Sequence, residues 1–268
     1  LMEAQDEEWE EIDRIIRMFQ GAMTTLKRLG RPVVAAPHRM ALGGGAEVCL
    51  AADAIVFSAE TYIGLVETGV GLIPAGGGCK EMALRTALSL PAFAPVAAGP
   101  GPSSASALGP GLELQPALNA VFENIALAKV SASGPHARDL GYMRASDRIV
   151  VNDDRRVHEA KRLVLELDEA GYAPPPPQRV PVAGRDGAAV MRMGAWSMRR
   201  GGYISDHDLL IANKLAHVLA GGDVRPGLEV SEQYMLDLER EAFLSLCGER
   251  KTQERMSHML ATGKPLRN

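Results

Sequence analysis

"ALGGGAEVCLAAD", residues 41–53, places three consecutive glycines between an apolar run and a segment of helical character, with one carboxylate, Glu47, two residues past the last glycine. Glycines at a turn from strand into helix admit positive φ and let a ligand approach the main chain. The start of the helix adds unpaired N–H groups and the positive end of a dipole, which together stabilise negative charge. Such a turn can hold a phosphate, or the oxyanion that forms when a carbonyl becomes an enolate. The detail disfavours phosphate, because GGGAE is not GxGxxG and no Lys-Ser/Thr pair follows it. The oxyanion reading gains from Glu47, on the first turn of the helix and within reach of the same pocket. Glycine-rich turns also serve packing alone, and the dipole alone favours Glu in a first turn. These residues by themselves leave both readings open.

Working outward, Trp9, Ile12, Ile16, Phe19, Met23 and Leu26 recur at three- and four-residue steps and predict a helix over 9–29, ended by Gly30 and Arg31-Pro32. PVVAA (32–36), AIVFSA (54–59) and TYIGL (61–65) read as strands, and 44–52 as a helix. Continuously apolar strands around a helix predict parallel pairing in an α/β layer. GLIPAGGGCKEMALR (71–85) repeats the theme of proline, glycine cluster and helix. Residues 91–113, rich in Pro, Gly, Ala and Ser, predict a mobile loop. Helices are predicted at about 115–130, 155–170, 187–200, 206–220, 231–247 and 252–262, with Ser205 and Asp208 forming a capping box and APPPPQ (173–178) a stiff connector. The chain thus divides into a partial core (1–90), the loop (91–113) and a helical C-terminal region (114–268). A small sheet whose first helix has no strand before it implies that an N-terminal half precedes residue 1.

At 268 residues, with 46% hydrophobic and 23% charged residues, the chain has the composition of a soluble globular protein. A net charge of −4 and 4% aromatic residues argue against nucleic acid as the partner. Cys49, Cys79 and Cys247 form no CxxC and suggest reduced thiols in the cytoplasm. No apolar run is long enough for a transmembrane segment, and the acidic start is the reverse of a signal peptide. The histidines show no metal-ligand spacing, so no metal is predicted. No GxSxG elbow supports a serine hydrolase.

Residues 31–85 resemble the enoyl-CoA hydratase/isomerase (crotonase) family segment by segment. The family's order of a basic residue with PV(I/V)AA, ALGGGxEL, an aspartate ending the helix, a strand, FGxPE and GxxPxxGG reappears at matching spacing. ARDLGYM (137–143) is a weaker echo. The resemblance implies a crotonase-like α/β fold, present in part. It implies that Gly44 supplies one N–H of an oxyanion hole, and that Glu47 and Glu67 are the two catalytic acids. Gly43, Pro74, Gly76 and Gly77 would contribute to substrate binding, with Gly76 to Gly78 shaping the loop that seats the second helix. The joint presence of both acids favours hydration of a trans-2-enoyl-CoA, with Glu47 as base and Glu67 as acid. The family's other oxyanion donor and much of its CoA surface lie upstream of the residues present.

EEWEEIDRIIRMFQ, ETYIGLVETGVGLIPAGGG and MLATGKPLRN further resemble bacterial bifunctional fatty-acid oxidation proteins. In these a 3-hydroxyacyl-CoA dehydrogenase portion comes first, so NAD is expected there and no cofactor in this chain. The expected partners are an acyl-CoA substrate, the N-terminal portion of the parent chain and a homo-oligomer packed through the C-terminal helices. Isomerisation of a double bond, or a non-catalytic helical docking fragment, are the rival readings. His38 is expected to serve packing rather than to stand by an acyl pocket, Met191, Met193 and Met198 near Trp196 to fill core, and MRRGG (198–202) to be a solvated helix end rather than a contact for CoA phosphates.

Overall fold

A buried parallel sheet forms where the sequence is continuously apolar. The computed structural model describes residues 1–90 and 110–268. A short α1 (Met2–Gln5) leads into α2 (Trp9–Lys27), whose striped face buries Ile16 and Gln20. Then come β1 (Val34–Ala35), β2 (Met40–Leu42), α3 (Gly44–Ala51), β3 (Ala54–Ser58) and β4 (Tyr62–Gly64). A 3₁₀ turn (Glu67–Val70) and α4 (Gly78–Ser89) complete the first part. β1 pairs parallel to β3 with Val34 opposite Ala54, and β2 pairs parallel to β4 with Met40 opposite Tyr62. All five residues of β3 are buried, as expected of a strand covered on both faces.

The second part begins with α5 (Pro110–Ala126) and α6 (Gly134–Asp139). Residues 110–113, assigned to the loop from their composition, therefore belong to a helix; 91–109 lie outside the described residues. β5 (Arg148–Val150) returns to the sheet parallel to β3. It is fixed there by the buried Asp147, which accepts the Ile55 N–H at 2.7 Å and the Arg144 N–H at 2.7 Å. α7 (Arg156–Glu169) covers the sheet's other face, packing Ala160 and Leu163 on Ala54 and Val56. β6 (Arg179–Pro181), α8 (Gly184–Arg200), α9 (Asp206–Leu219), β7 (Glu229–Ser231), α10 (Glu232–Cys247) and α11 (Arg250–Thr262) follow. β6 and β7 form an antiparallel pair that the sequence did not announce.

One apolar cluster runs through both parts, from Ile55, Phe57, Ile63 and Leu65 through Met82 of α4 and Leu118 of α5 to Leu215 of α9 and Leu246 of α10. The helical region therefore supplies the wall against which the small sheet is packed. The Ser205–Asp208 capping box is present, with Asp208 N–H donating to Ser205 Oγ at 3.1 Å and Ser205 N–H donating to Asp208 Oδ2 at 2.9 Å. Ser205→Ala is expected to cost about 1 kcal/mol in urea denaturation.

Two side chains depart from their expected places. His38 is exposed, with Nδ1 2.9 Å from Arg156 Nη1 and 3.0 Å from Asp153 Oδ2; it is drawn out to charged partners on α7 and the turn before it. Met191 is core, but Met193 and Trp196 are exposed. Met191, Met193 and Met198 line an apolar cavity of about 730 Å³ between α5, α8 and α9, with Thr68 and Gly69 on its wall. The end of α8 is solvated: Arg199 pairs with Asp206, and the Arg200 guanidinium lies 5.5 Å from the centre of the Trp196 ring.

Candidate active site

β2 and β4 end side by side, and the candidate residues are gathered at that edge. Gly43 N–H continues the ladder by donating to Gly64 O at 2.9 Å. Gly43 then turns with φ +55°, a conformation that favours glycine, and α3 starts at Gly44. The exposed Gly44 and Gly45 N–H groups make no hydrogen bond among the described residues, as expected of the first turn of a helix.

Glu47, one turn into α3, is 4% exposed. Its Oε1 accepts the Gly76 N–H and the Gly78 N–H, both at 2.8 Å, while Oε2 has no hydrogen bond among the described residues. Burial raises the proton affinity of Glu47, and the two N–H bonds oppose that rise.

Glu67 opens the 3₁₀ turn that follows β4. A Cβ built on Gly43 would lie 3.2 Å from Glu67 Oε1, so this carboxyl stands against the glycine turn. Its Oε2 is buried with no hydrogen-bond partner among the described residues. Burial, with the charge of Glu47 adding to it, pushes Glu67 up to about 8. A buried polar atom without a partner is costly to keep unless something binds it.

Gly43, Gly44, Glu47 and Glu67 are thus brought together around one turn. Pro74, Gly76 and Gly77 are buried behind it, and the Gly76 and Gly77 N–H groups are occupied by Glu47 and Glu239. They shape the loop and seat α4; they do not face outward to a ligand.

Four further residues hold the site. The Phe19 ring from α2 packs on the Gly44–Gly76 junction, 3.6 Å from a Cβ built on Gly44. Tyr142, from ARDLGYM, accepts the Leu65 N–H on its hydroxyl at 3.0 Å, two residues before Glu67. Thr252 of α11 donates to Gly71 O at 2.9 Å, and its Oγ1 lies 2.9 Å from His207 Nε2. Glu239 of α10 is fully buried and accepts the Gly77 N–H at 2.8 Å and the Lys80 N–H at 2.6 Å. Phe19 lies on the stripe predicted for α2. Glu239 could have been noticed as an acid on the otherwise apolar face of Met235, Leu238, Ala242 and Leu246. Thr252 carries no such signal.

Beside the site, Lys27, Lys80, Glu81 and Glu232 form a buried ion cluster, with Lys27 Nζ 2.7 Å from Glu81 Oε1 and Lys80 Nζ 3.1 Å from Glu232 Oε2. Burial opposes ionisation of Glu81, but Lys80, Lys27 and Arg85 hold it at about 2.

Residues 1–88 match the family described as "Enoyl-CoA hydratase/isomerase". The chain is 47% identical over 268 residues to the "Probable 3-hydroxyacyl-CoA dehydrogenase" of Bacillus subtilis (strain 168), covering all of this chain and 31% of that protein. It is 32% identical over 72 residues to "Enoyl-CoA hydratase domain-containing protein 2, mitochondrial" of Bos taurus, covering 27% of this chain and 24% of that one. The chain therefore spans about a third or less of the length of these curated relatives. Among solved structures, the enoyl-CoA hydratase from Bacillus halodurans superposes with a TM-score of 0.54 at 12% identity, covering 96% of this chain and 72% of that one; at such identity the likeness is one of fold. No helix among the described residues is long and apolar enough to cross a membrane. The chain has the crotonase fold, and its residues 1–88 match the enoyl-CoA hydratase/isomerase family.

Proposed function

We propose that this chain carries the hydratase site of a longer fatty-acid oxidation protein, adding water to a trans-2-enoyl-CoA to give a 3-hydroxyacyl-CoA. The observation that carries the reading is the placement of Glu47 and Glu67, both raised in proton affinity, on either side of a glycine turn whose Gly44 N–H makes no hydrogen bond among the described residues. The thioester carbonyl oxygen accepts that N–H, and the second donor comes from a segment outside residues 1–268. A water held between the carboxyl groups attacks Cβ. Glu47 takes the proton the water loses as its oxygen bonds to carbon, and the C=C electron pair moves onto the carbonyl oxygen as an enolate. The enolate then collapses, and Cα takes the proton of Glu67, so that H and OH have added across the double bond.

The assignment of roles follows from the surroundings. Two N–H bonds on Oε1 favour the charged form of Glu47, which suits a base. Glu67, at about 8, keeps its proton at neutral pH, which suits an acid. The similarity to the Bacillus subtilis dehydrogenase supports assigning a 3-hydroxyacyl-CoA dehydrogenase activity, and its NAD, to the rest of the longer protein. Three buried free thiols suit a reducing compartment, and we place the protein in the cytoplasm.

The test follows loss of the enoyl thioester absorbance by the protein that carries these residues together with its upstream sequence. Hydration by the wild type, lost in both Glu47→Gln and Glu67→Gln, is the expected outcome. Migration of a 3-enoyl-CoA double bond without any hydration would replace the reading with that of an isomerase. Equal hydration by all three proteins would remove both acids from the reaction.

A further inference from the structure

We propose that Glu239 is a positioning residue for Glu47: from α10 it grips the same turn that Glu47 grips from α3, and so fixes the orientation of the Glu47 carboxyl. The turn before α4 offers four main-chain N–H groups, and the two carboxyl groups take them in alternation. Gly76 and Gly78 donate to Glu47 Oε1, both at 2.8 Å. Gly77 donates to Glu239 Oε2 at 2.8 Å and Lys80 to Glu239 Oε1 at 2.6 Å. Because the donors alternate, the turn cannot rotate toward one acid without losing bonds to the other. Glu47 is held by one oxygen, and Oε2 is left for chemistry.

A local cap could not do the same. The N-cap residue of α4 is Gly77, with φ +115°, which carries no side chain and favours none. The acceptor is therefore brought from a residue 162 positions away. Glu239 is 0% exposed and makes no salt bridge to a basic side chain among the described residues, a costly placement for a carboxyl group. Its only hydrogen-bond donors among the described residues are the two amides of this turn. The buried ion cluster lies on the same first turn of α4, where it satisfies Lys80 Nζ and Glu81 and leaves the amides to Glu239.

The proposal rests on the hydratase reading for the role of Glu47, but the grip itself can be tested without activity. Amide hydrogen exchange of this chain, followed by NMR, compares wild type with Glu239→Gln. The Gln side chain can accept one of the two N–H bonds and presents a donor to the other. Protection at Gly76 and Gly78, which Glu239 does not touch, is expected to fall roughly tenfold or more, while Gly71, bonded to Thr68 O, is unchanged. In the hydration assay, kcat is expected to fall ~10- to 100-fold with KM within about twofold, as for a misplaced catalytic group. Added to Glu47→Gln, the same substitution is expected to cause no further loss, because it acts through Glu47. Unchanged protection at Gly76 and Gly78 overturns the proposal, and so does a full further loss of kcat in the Glu47→Gln background. Should Glu239→Gln fail to fold, Glu239→Asp, too short to reach both amides, takes its place with the same expectations. A wild type without hydratase activity ends the hydratase reading but leaves the exchange result to decide the grip.

Discussion

Glu67→Gln is expected to lose ~100- to 10,000-fold in hydration rate, the range typical of removing a positioned acid, and at the same time to gain stability at alkaline pH. The second effect follows from proton linkage. Glu67 has its ordinary value of 4.5 in the unfolded chain and about 8 in the folded one. Between these values the unfolded state has released a proton that the folded state keeps. Stability therefore falls as pH rises through this window and levels off above about 8. The amide of Gln does not titrate, and it abandons no partner, since Glu67 Oε2 has none among the described residues. Urea midpoints of wild type and variant should coincide near pH 4.5 and separate progressively up to pH 8, with the variant the more stable. A constant difference across that range would mean that Glu67 does not titrate where its surroundings place it. Activity and stability moving in opposite directions on one substitution is the mark of a group held in place for chemistry.

Gly71→Ala is expected to damage the same site from its other end. Gly71 closes the 3₁₀ turn of Glu67 with φ +88°, a left-handed conformation costly for any residue with a Cβ. A Cβ there would meet Thr252 Oγ1 at 2.8 Å and Thr252 Cα at 2.9 Å. A hydroxyl can rotate away, but a main-chain atom of α11 can move only with its helix. Strain and overpacking together should cost about 2–5 kcal/mol, on the order of 5–15 °C in Tm. The hydration rate of the fraction still folded should also fall, because the turn that moves carries Glu67. Calorimetry and single-turnover kinetics on one preparation separate the two losses. A normal rate with a lowered Tm would confine Gly71 to stability.

The parts legible in the sequence are those whose partners are close along the chain. β1, α3, β3, β4 and α4 are read from apolar runs and glycine turns within residues 31–85, and the positions of Glu47 and Glu67 follow from the same stretch. β2 was hidden because its three residues merge with the glycine turn. β5, β6 and β7 are three residues each, too short to show a period, and their pairing depends on residues far away. His38 reads as a packing residue because nothing local reveals Asp153 and Arg156. Met193 reads as core because hydrophobicity alone does not fix which side of α8 meets the core. Glu239 shows only as an acid on an apolar helix face and Thr252 not at all, because the main-chain groups each one serves have no signature in a sequence.

The Gln20 amide donates to Ala75 O and to Leu236 O, both at 2.8 Å, across 55 and 216 positions of chain. A ribosome makes α2, both acids and the glycine turns well before it makes α10. Contacts of such separation close late. At ~5–20 residues per second, the nascent chain waits on the order of 10–40 s between the emergence of Glu47 and that of Glu239. During that interval its acids and apolar strands have no helical wall, which makes it a natural client for a chaperone. The site is therefore synthesised long before it can be finished.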